Sequence, residues 1–153
     1  MGLITVCALL TDGATYSFVP PPGWRVSADA TEKKLSFVSP DNALITLHVI
    51  ATRSENPIAV ATGSLRNQVL DRYSAARFVE EMPCTTADGT GQAFDFLWST
   101  GHGANFKTRF ATMSAKGERI ELVLTSKPET FPSHHYTFSS FLNSFQIRPA
   151  SRN

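Results

Sequence analysis

Four histidines and two cysteines are the residues of this sequence best suited to chemistry, and their spacing limits what they could do. His134 and His135 are adjacent near the start of an expected helix. Neighbours on a helix diverge by about 100°, so the two are a poor pair of ligands for one metal ion. His102 falls at a glycine-flanked hairpin tip and His48 on a strand, so any site joining His102 to His134 depends wholly on tertiary placement. Surface or capping histidines are the ordinary alternative, and no metal site is expected. Cys84 lies in Met82-Pro83-Cys84-Thr85-Thr86 with Asp88 nearby, but no local motif supplies the general base that a nucleophilic thiol needs. Cys7 and Cys84 have no metal-ligand spacing. They could pair in an oxidising compartment or pack as free thiols. The serines lie in no G-x-S-x-G elbow, and Gly89-Thr90-Gly91 leads into a strand rather than the helix a phosphate cradle requires. No catalytic residue, no enzyme and no cofactor is expected. A cleft lined by His102, His134 and Asp88 would favour a small-ligand binder or an enzyme instead.

Charged residues on the later strands offer a different chemistry, that of recognition. Asp95, Lys107, Arg109, Arg119 and Glu121 alternate with large apolar residues on three successive strands. Read together they form one polar sheet face opposite the aromatic one, with the Gly101 to Asn105 loop and His102 on its rim. The bland interpretation is a solvated face with cross-strand ion pairs, each contributing a few tenths of a kcal/mol. The functional interpretation is a shallow surface that binds another protein.

The elements that must position these residues follow from periodicity. Residues 14–19 read as a strand stopped by Pro20-Pro21-Pro22 and Gly23, and extended structure resumes at Trp24. Residues 35–38 form a second strand before the turn residues Ser39-Pro40-Asp41-Asn42. In residues 43–52, Ala43, Ile45, Leu47, Val49 and Ala51 share a core face. The period then lengthens. Asn56 can cap a helix with Pro57 in its first turn, and Ile58, Ala61, Leu65, Val69 and Tyr73 recur at helical spacing. After a strand at 77–82, residues 91–100, 105–113 and 118–126 form an antiparallel meander. Its inward residues are Phe94, Phe96, Trp98, Phe106, Phe110, Ile120, Leu122 and Leu124. A second helix, capped by Ser133, carries the stripe Phe138, Phe141, Leu142 and Phe145, and Ile147 closes the ordered part. The expected fold is α+β: a single antiparallel sheet of about six or seven strands packed with two main helices.

The ends divide from this body. Residues 1–13 open with the apolar run Leu3 to Leu10, which has the length of a signal-peptide core but lacks a basic stretch before it. A truncated signal peptide is favoured over a genuine first strand or a leftover of cloning. The domain occupies 14–148, and 149–153 is a tail. No segment is long enough to span a bilayer as a helix.

The residues Tyr16-Ser17-Phe18, Pro22-Gly23-Trp24, Leu35-Ser36-Phe37 and Ala43-Leu44-Ile45-Thr46-Leu47 carry a resemblance. In this order they resemble the PsbP-like, or DcrB-like, superfamily, over about residues 14 to 147. That grouping spans photosystem II extrinsic subunits, bacterial DcrB-like lipoproteins and a Ran-binding nuclear transport factor. The resemblance implies a PsbP-like α/β/α sandwich and a non-enzymatic role as assembly factor, binding module or chaperone. It carries over no functional residue, because Pro-x-Gly-Trp is a packing device.

Composition agrees with a binding role and excludes some partners. With 14 Lys and Arg against 13 Asp and Glu, the net charge is +1, without the basic excess that nucleic acid or an anionic membrane selects. The expected function is a non-catalytic protein-binding or assembly module, exported in a bacterium. The competing expectation is a cytosolic chaperone or adaptor for a secreted or membrane cargo protein.

Overall fold

The alternation at residues 43–51 becomes β5 (Leu44–Ala51), in which Ile45, Leu47 and Val49 are buried while Ala51, at the strand's end, is exposed. The computed structural model describes residues 7–11, 14–29, 31–51, 62–87, 89–115 and 117–149 of the 153-residue chain. Around β5 stand β3 (Arg25–Asp29), β4 (Lys34–Val38), β6 (Arg77–Thr86), β7 (Gly89–Ser99), β8 (Asn105–Ala115) and β9 (Glu118–Ser126). They form one seven-stranded sheet in the order β3-β4-β5-β9-β8-β7-β6, with every neighbour antiparallel. The meander β6 to β9 pairs as its turns dictate, and Gly103 and Gly117 adopt the positive φ those tight turns need. The Ser39-Pro40-Asp41-Asn42 turn closes on a bond from the Asn42 N–H to the Ser39 carbonyl at 3.0 Å, with Asn42 itself left-handed.

The sheet is not single. A second sheet of three antiparallel strands, in the order β1-β2-β10, is built from β1 (Cys7–Leu10), β2 (Ala14–Phe18) and β10 (Gln146–Pro149). The prolines at 20–22 and the Gly23 turn separate β2 from β3, so β2 finds its partners in the two ends of the chain. β10 is only four residues long, too short for an alternation to be read, so the order continues past Ile147 to Pro149.

Two helices are described. α1 is described over Thr62–Leu70 and ends three residues before Tyr73, while the expected cap at Asn56 with Pro57, Ile58 and Ala61 lies outside the described residues. Tyr73 falls beyond the helix in a turn, its N–H bonded to the Leu70 carbonyl at 3.1 Å, yet its ring still joins the Leu65 and Val69 cluster. α2 (Phe131–Ser144) begins before Ser133, with Thr130 at the cap position and proline in the first turn. Ser133 therefore sits inside that turn and donates its hydroxyl back to the Thr130 carbonyl at 2.8 Å.

The helices cover opposite faces of the large sheet. Phe110 stands opposite Phe94 and Val123, whereas Arg109 stands opposite Asp95 and Leu124. Directly opposed residues of antiparallel strands share a face. One face thus carries Phe94, Phe96 and Phe110 under Leu65 and Val69 of α1. The other carries Ile45, Leu47, Ile120, Leu122 and Leu124 under Phe138 and Phe141 of α2, together with Tyr16 and Phe18 of the small sheet. The aromatic residues of β7 and β8 and the aliphatic residues of β9 are both inward, but into two different cores.

Candidate functional site

That parity divides the charged residues singled out from the sequence. Asp95, Lys107 and Arg109 lie on the α2 face, and Arg119 and Glu121 lie on the α1 face, so the five do not form one polar surface. Asp95 has no exposed surface. Its carboxylate accepts two bonds from Arg109, from Nε at 2.7 Å and Nη2 at 2.8 Å, while Lys107 Nζ stands 3.9 Å away. Both cations lie over the Phe131 ring at the start of α2, Lys107 at 4.6 Å and Arg109 at 5.4 Å. Arg109 Nη1 also contacts His135 Nδ1. Burial and the adjacent guanidinium hold the His135 ring below its usual pKa, which favours the neutral form that can accept from Arg109. The cluster pins the first turns of α2 to the sheet. A cleft of about 300 Å³ beside it is lined by Cys84, Arg109, His135, Ser139 and Asn143, but the Arg109 charge is already matched by Asp95.

On the α1 face, Glu121 is also buried, with Arg119 Nη2 at 3.2 Å and Arg72 Nη1 at 3.7 Å. His102 is exposed at the β7–β8 hairpin tip, and His134 is elsewhere. His134 Nε2 meets Asp41 Oδ2 at 2.9 Å and its ring packs edge-on against Trp24, while Asp88 lies outside the described residues. Asp41 is held below the usual carboxylate range by the Ser39 hydroxyl and by His134. The carboxylate stands between serine and histidine, so this trio cannot pass a proton from Ser39 to the imidazole as a catalytic triad does. The Cys84 thiol is pushed up by burial, which makes it a poor nucleophile, and both cysteines are free. Among the described residues no three His, Cys, Asp or Glu side chains are grouped to hold a metal ion, and no helix is long and apolar enough to cross a membrane.

One further opening was not anticipated from the sequence. It is a half-open groove of about 520 Å³ on the α1 face, where β4, β5 and β9 emerge from beneath the helix. The described turns of α1 pack on β7 and β8 through Phe94, Phe96 and Phe110, while the groove lies over β4, β5 and β9 on the same face. Leu44, Thr46, Val123 and Thr125 floor the groove, Tyr73, Trp98 and Phe106 wall it, and Lys34, Asp41 and Lys127 stand at its edge. The wall is rigid. Trp98 stacks on its cross-strand partner Phe106 with centroids 4.6 Å apart and packs on Tyr73 at 5.2 Å. Its Nε1–H donates to Thr108 Oγ1 at 2.9 Å, and the Thr108 and Thr125 hydroxyls are bonded at 2.8 Å. The signal in the sequence was the alternation that placed Trp98 with Phe94 and Phe96, but nothing local revealed that Tyr73, Phe106 and the ends of β5 and β9 meet beside it.

This chain matches no protein-family model and no curated protein. Solved structures do match. LpqN, involved in cell envelope biogenesis of Mycobacterium tuberculosis, superposes with a TM-score of 0.69 at 13% identity over 95% of this chain and 91% of its own. Cyanobacterial PsbP from Synechocystis gives 0.67 at 12% identity, over 95% and 94%. The fold is PsbP-like. The Ran-binding protein Mog1p of Saccharomyces cerevisiae shares the PsbP-like fold more distantly, with a TM-score of 0.57 at 11% identity over 86% and 89%. At these identities the PsbP-like likeness is one of architecture, and the function must be argued from this chain's own surface.

Proposed function

We propose that this chain is a non-catalytic protein-binding or assembly module, and that its recognition site is the α1-face groove. The observation that carries this reading is the closely packed wall of Tyr73, Trp98 and Phe106 beside a floor of Leu44, Val123 and two threonines. Tryptophan and tyrosine dominate the binding energy of protein interfaces because they bury large area with little entropy to lose. A groove open along one side suits an apolar side chain or short segment projecting from a partner. The lysines and Asp41 at its edge would set the segment's direction. The Ran-binding activity named for Mog1p is consistent with protein recognition on this fold. Asp95 cannot touch a partner while α2 is in place, so Lys107 and Arg109 contribute here by holding α2.

The test places a photo-cross-linking residue at Thr46 or Lys127 in the groove and, as controls, at Glu81 and Asn143 on other surfaces, in cells of the native host. Cross-linked partner peptides concentrated at the groove positions, and lost with Phe106→Ala, would support the proposal. Equal capture at all four positions, or capture at the controls alone, would overturn it.

A further inference from the structure

The two edges of the large sheet differ in a way that names an occupant for one of them. β6 is a blunted edge: its pairing with β7 is irregular between Phe78 and Glu80, Pro83 removes a backbone donor, and the Arg66 guanidinium lies over the Phe78 ring at 4.5 Å. Such devices are how sheets avoid adding another strand. β3 has none of them. It is regular along its whole pairing with β4, contains no proline, and all five of its residues are exposed, Val26 by 55%.

Its sequence, Arg25-Val26-Ser27-Ala28-Asp29, is complementary to itself when reversed. An antiparallel copy centred on Ser27 sets Arg25 opposite Asp29, Val26 opposite Ala28 and Ser27 opposite its own mate. The faces also agree. Val26 is opposed to the buried Phe37 and Ala28 to Leu35, so the new Val26–Ala28 contacts would extend the apolar row of the α2 face. Arg25, Ser27 and Asp29 lie on the α1 face, opposite Val38, Ser36 and Lys34. One oxygen of Asp29 is occupied by the N–H groups of Thr31 and Glu32, both at 3.1 Å, which fixes the carboxylate and leaves its second oxygen for an arginine.

We propose that β3 is a homodimerisation edge, pairing antiparallel with β3 of a second copy of this chain and joining two seven-stranded sheets into one. The symmetry is isologous, so each Arg25–Asp29 contact occurs twice. The two-fold axis runs normal to the sheet, and both α1-face grooves therefore open on the same side. A partner with two projecting segments would then be held at two points. The dimer does not depend on the groove being the recognition site, and its test reads assembly alone.

The test is sedimentation of the full chain as wild type, Arg25→Asp, Asp29→Arg and the double exchange, with circular dichroism confirming that each is folded. Wild type is expected to populate a species of twice the 16.7 kDa chain mass. Each single reversal places like charges opposite one another twice and should weaken the dimer by about tenfold or more. The double exchange restores opposite charges at both pairs and should recover it. A Ser27→Cys chain should oxidise to a covalent dimer, because opposed strand residues have Cα atoms about 4.5–5.5 Å apart, within disulfide reach. Val26→Cys, which faces Ala28 of the second copy, should not. A wild-type chain that is monomeric up to its solubility limit overturns the proposal. So does a dimer indifferent to the single reversals, or a Ser27→Cys chain that fails to cross-link.

Discussion

Replacing Asp95 by asparagine removes the charge at the centre of the α2-face cluster while preserving its shape. The wild-type carboxylate has no exposed surface and receives two charge-assisted bonds from Arg109. Breaking such a buried pair from one side costs about 3–5 kcal/mol, because the other charge is left without its counter-ion. Arg109 retains 12% of its side-chain exposure and borders a cleft of about 300 Å³, so part of its charge can turn toward water. The lower end of that range, about 3 kcal/mol, is therefore expected. For a chain of this size the melting temperature should fall by roughly 6–12 °C. Removing both charges with Asp95→Leu and Arg109→Met should return stability to within about 1 kcal/mol of wild type, since an apolar pair of similar volume avoids the desolvation cost. Urea unfolding followed by tryptophan fluorescence gives both numbers, and the m-value should not change. If Asp95→Asn is as stable as wild type, or the double variant no better than the single, the cluster does not anchor α2 as argued.

Two further outcomes follow from the packing of β7 and α2. Gly91→Ala would place a Cβ 2.5 Å from the Thr112 carbonyl oxygen and 3.1 Å from the Cys84 sulfur, so β7 must shift from β8, with an expected loss of about 1–3 kcal/mol by denaturant titration. His135 has a folded pKa below its ordinary 6.5, so the unfolded chain takes up a proton first as the solution is acidified. Stability contributed there is complete above about pH 6.5 and is lost as pH falls toward the folded value. His135→Gln should flatten that part of the pH–stability curve, and an unchanged slope would remove His135 as its source.

The sequence made much of the fold legible because its strong signals are local. The alternation of Ile45, Leu47 and Val49, the helical stripe Phe138, Phe141 and Leu142, and the glycine-bearing turns of the meander each lie within a dozen residues and keep their meaning in the structure. The small sheet was less legible, since β2 pairs with four-residue strands at the two ends of the domain, and no local pattern points that far. The groove was hidden for the same reason. Its aromatic wall comes from Tyr73, Trp98 and Phe106 and its floor from both β5 and β9, residues far apart in the chain.

The charged residues mark the boundary most clearly. By itself the sequence determined that Asp95, Arg109 and Glu121 alternate with apolar neighbours, because side chains along a strand point to opposite faces with a period of two. It could not determine which alternating set of one strand meets which set of the next. In a sheet with one wet face, polarity would answer that. Here helices cover both faces, so each strand can carry apolar residues on either side, and only the register, with Arg109 opposite Leu124 and Phe110 opposite Val123, decides it. Tertiary pairing thus turned an apparent polar surface into two buried ion clusters and left the open ground beside Trp98.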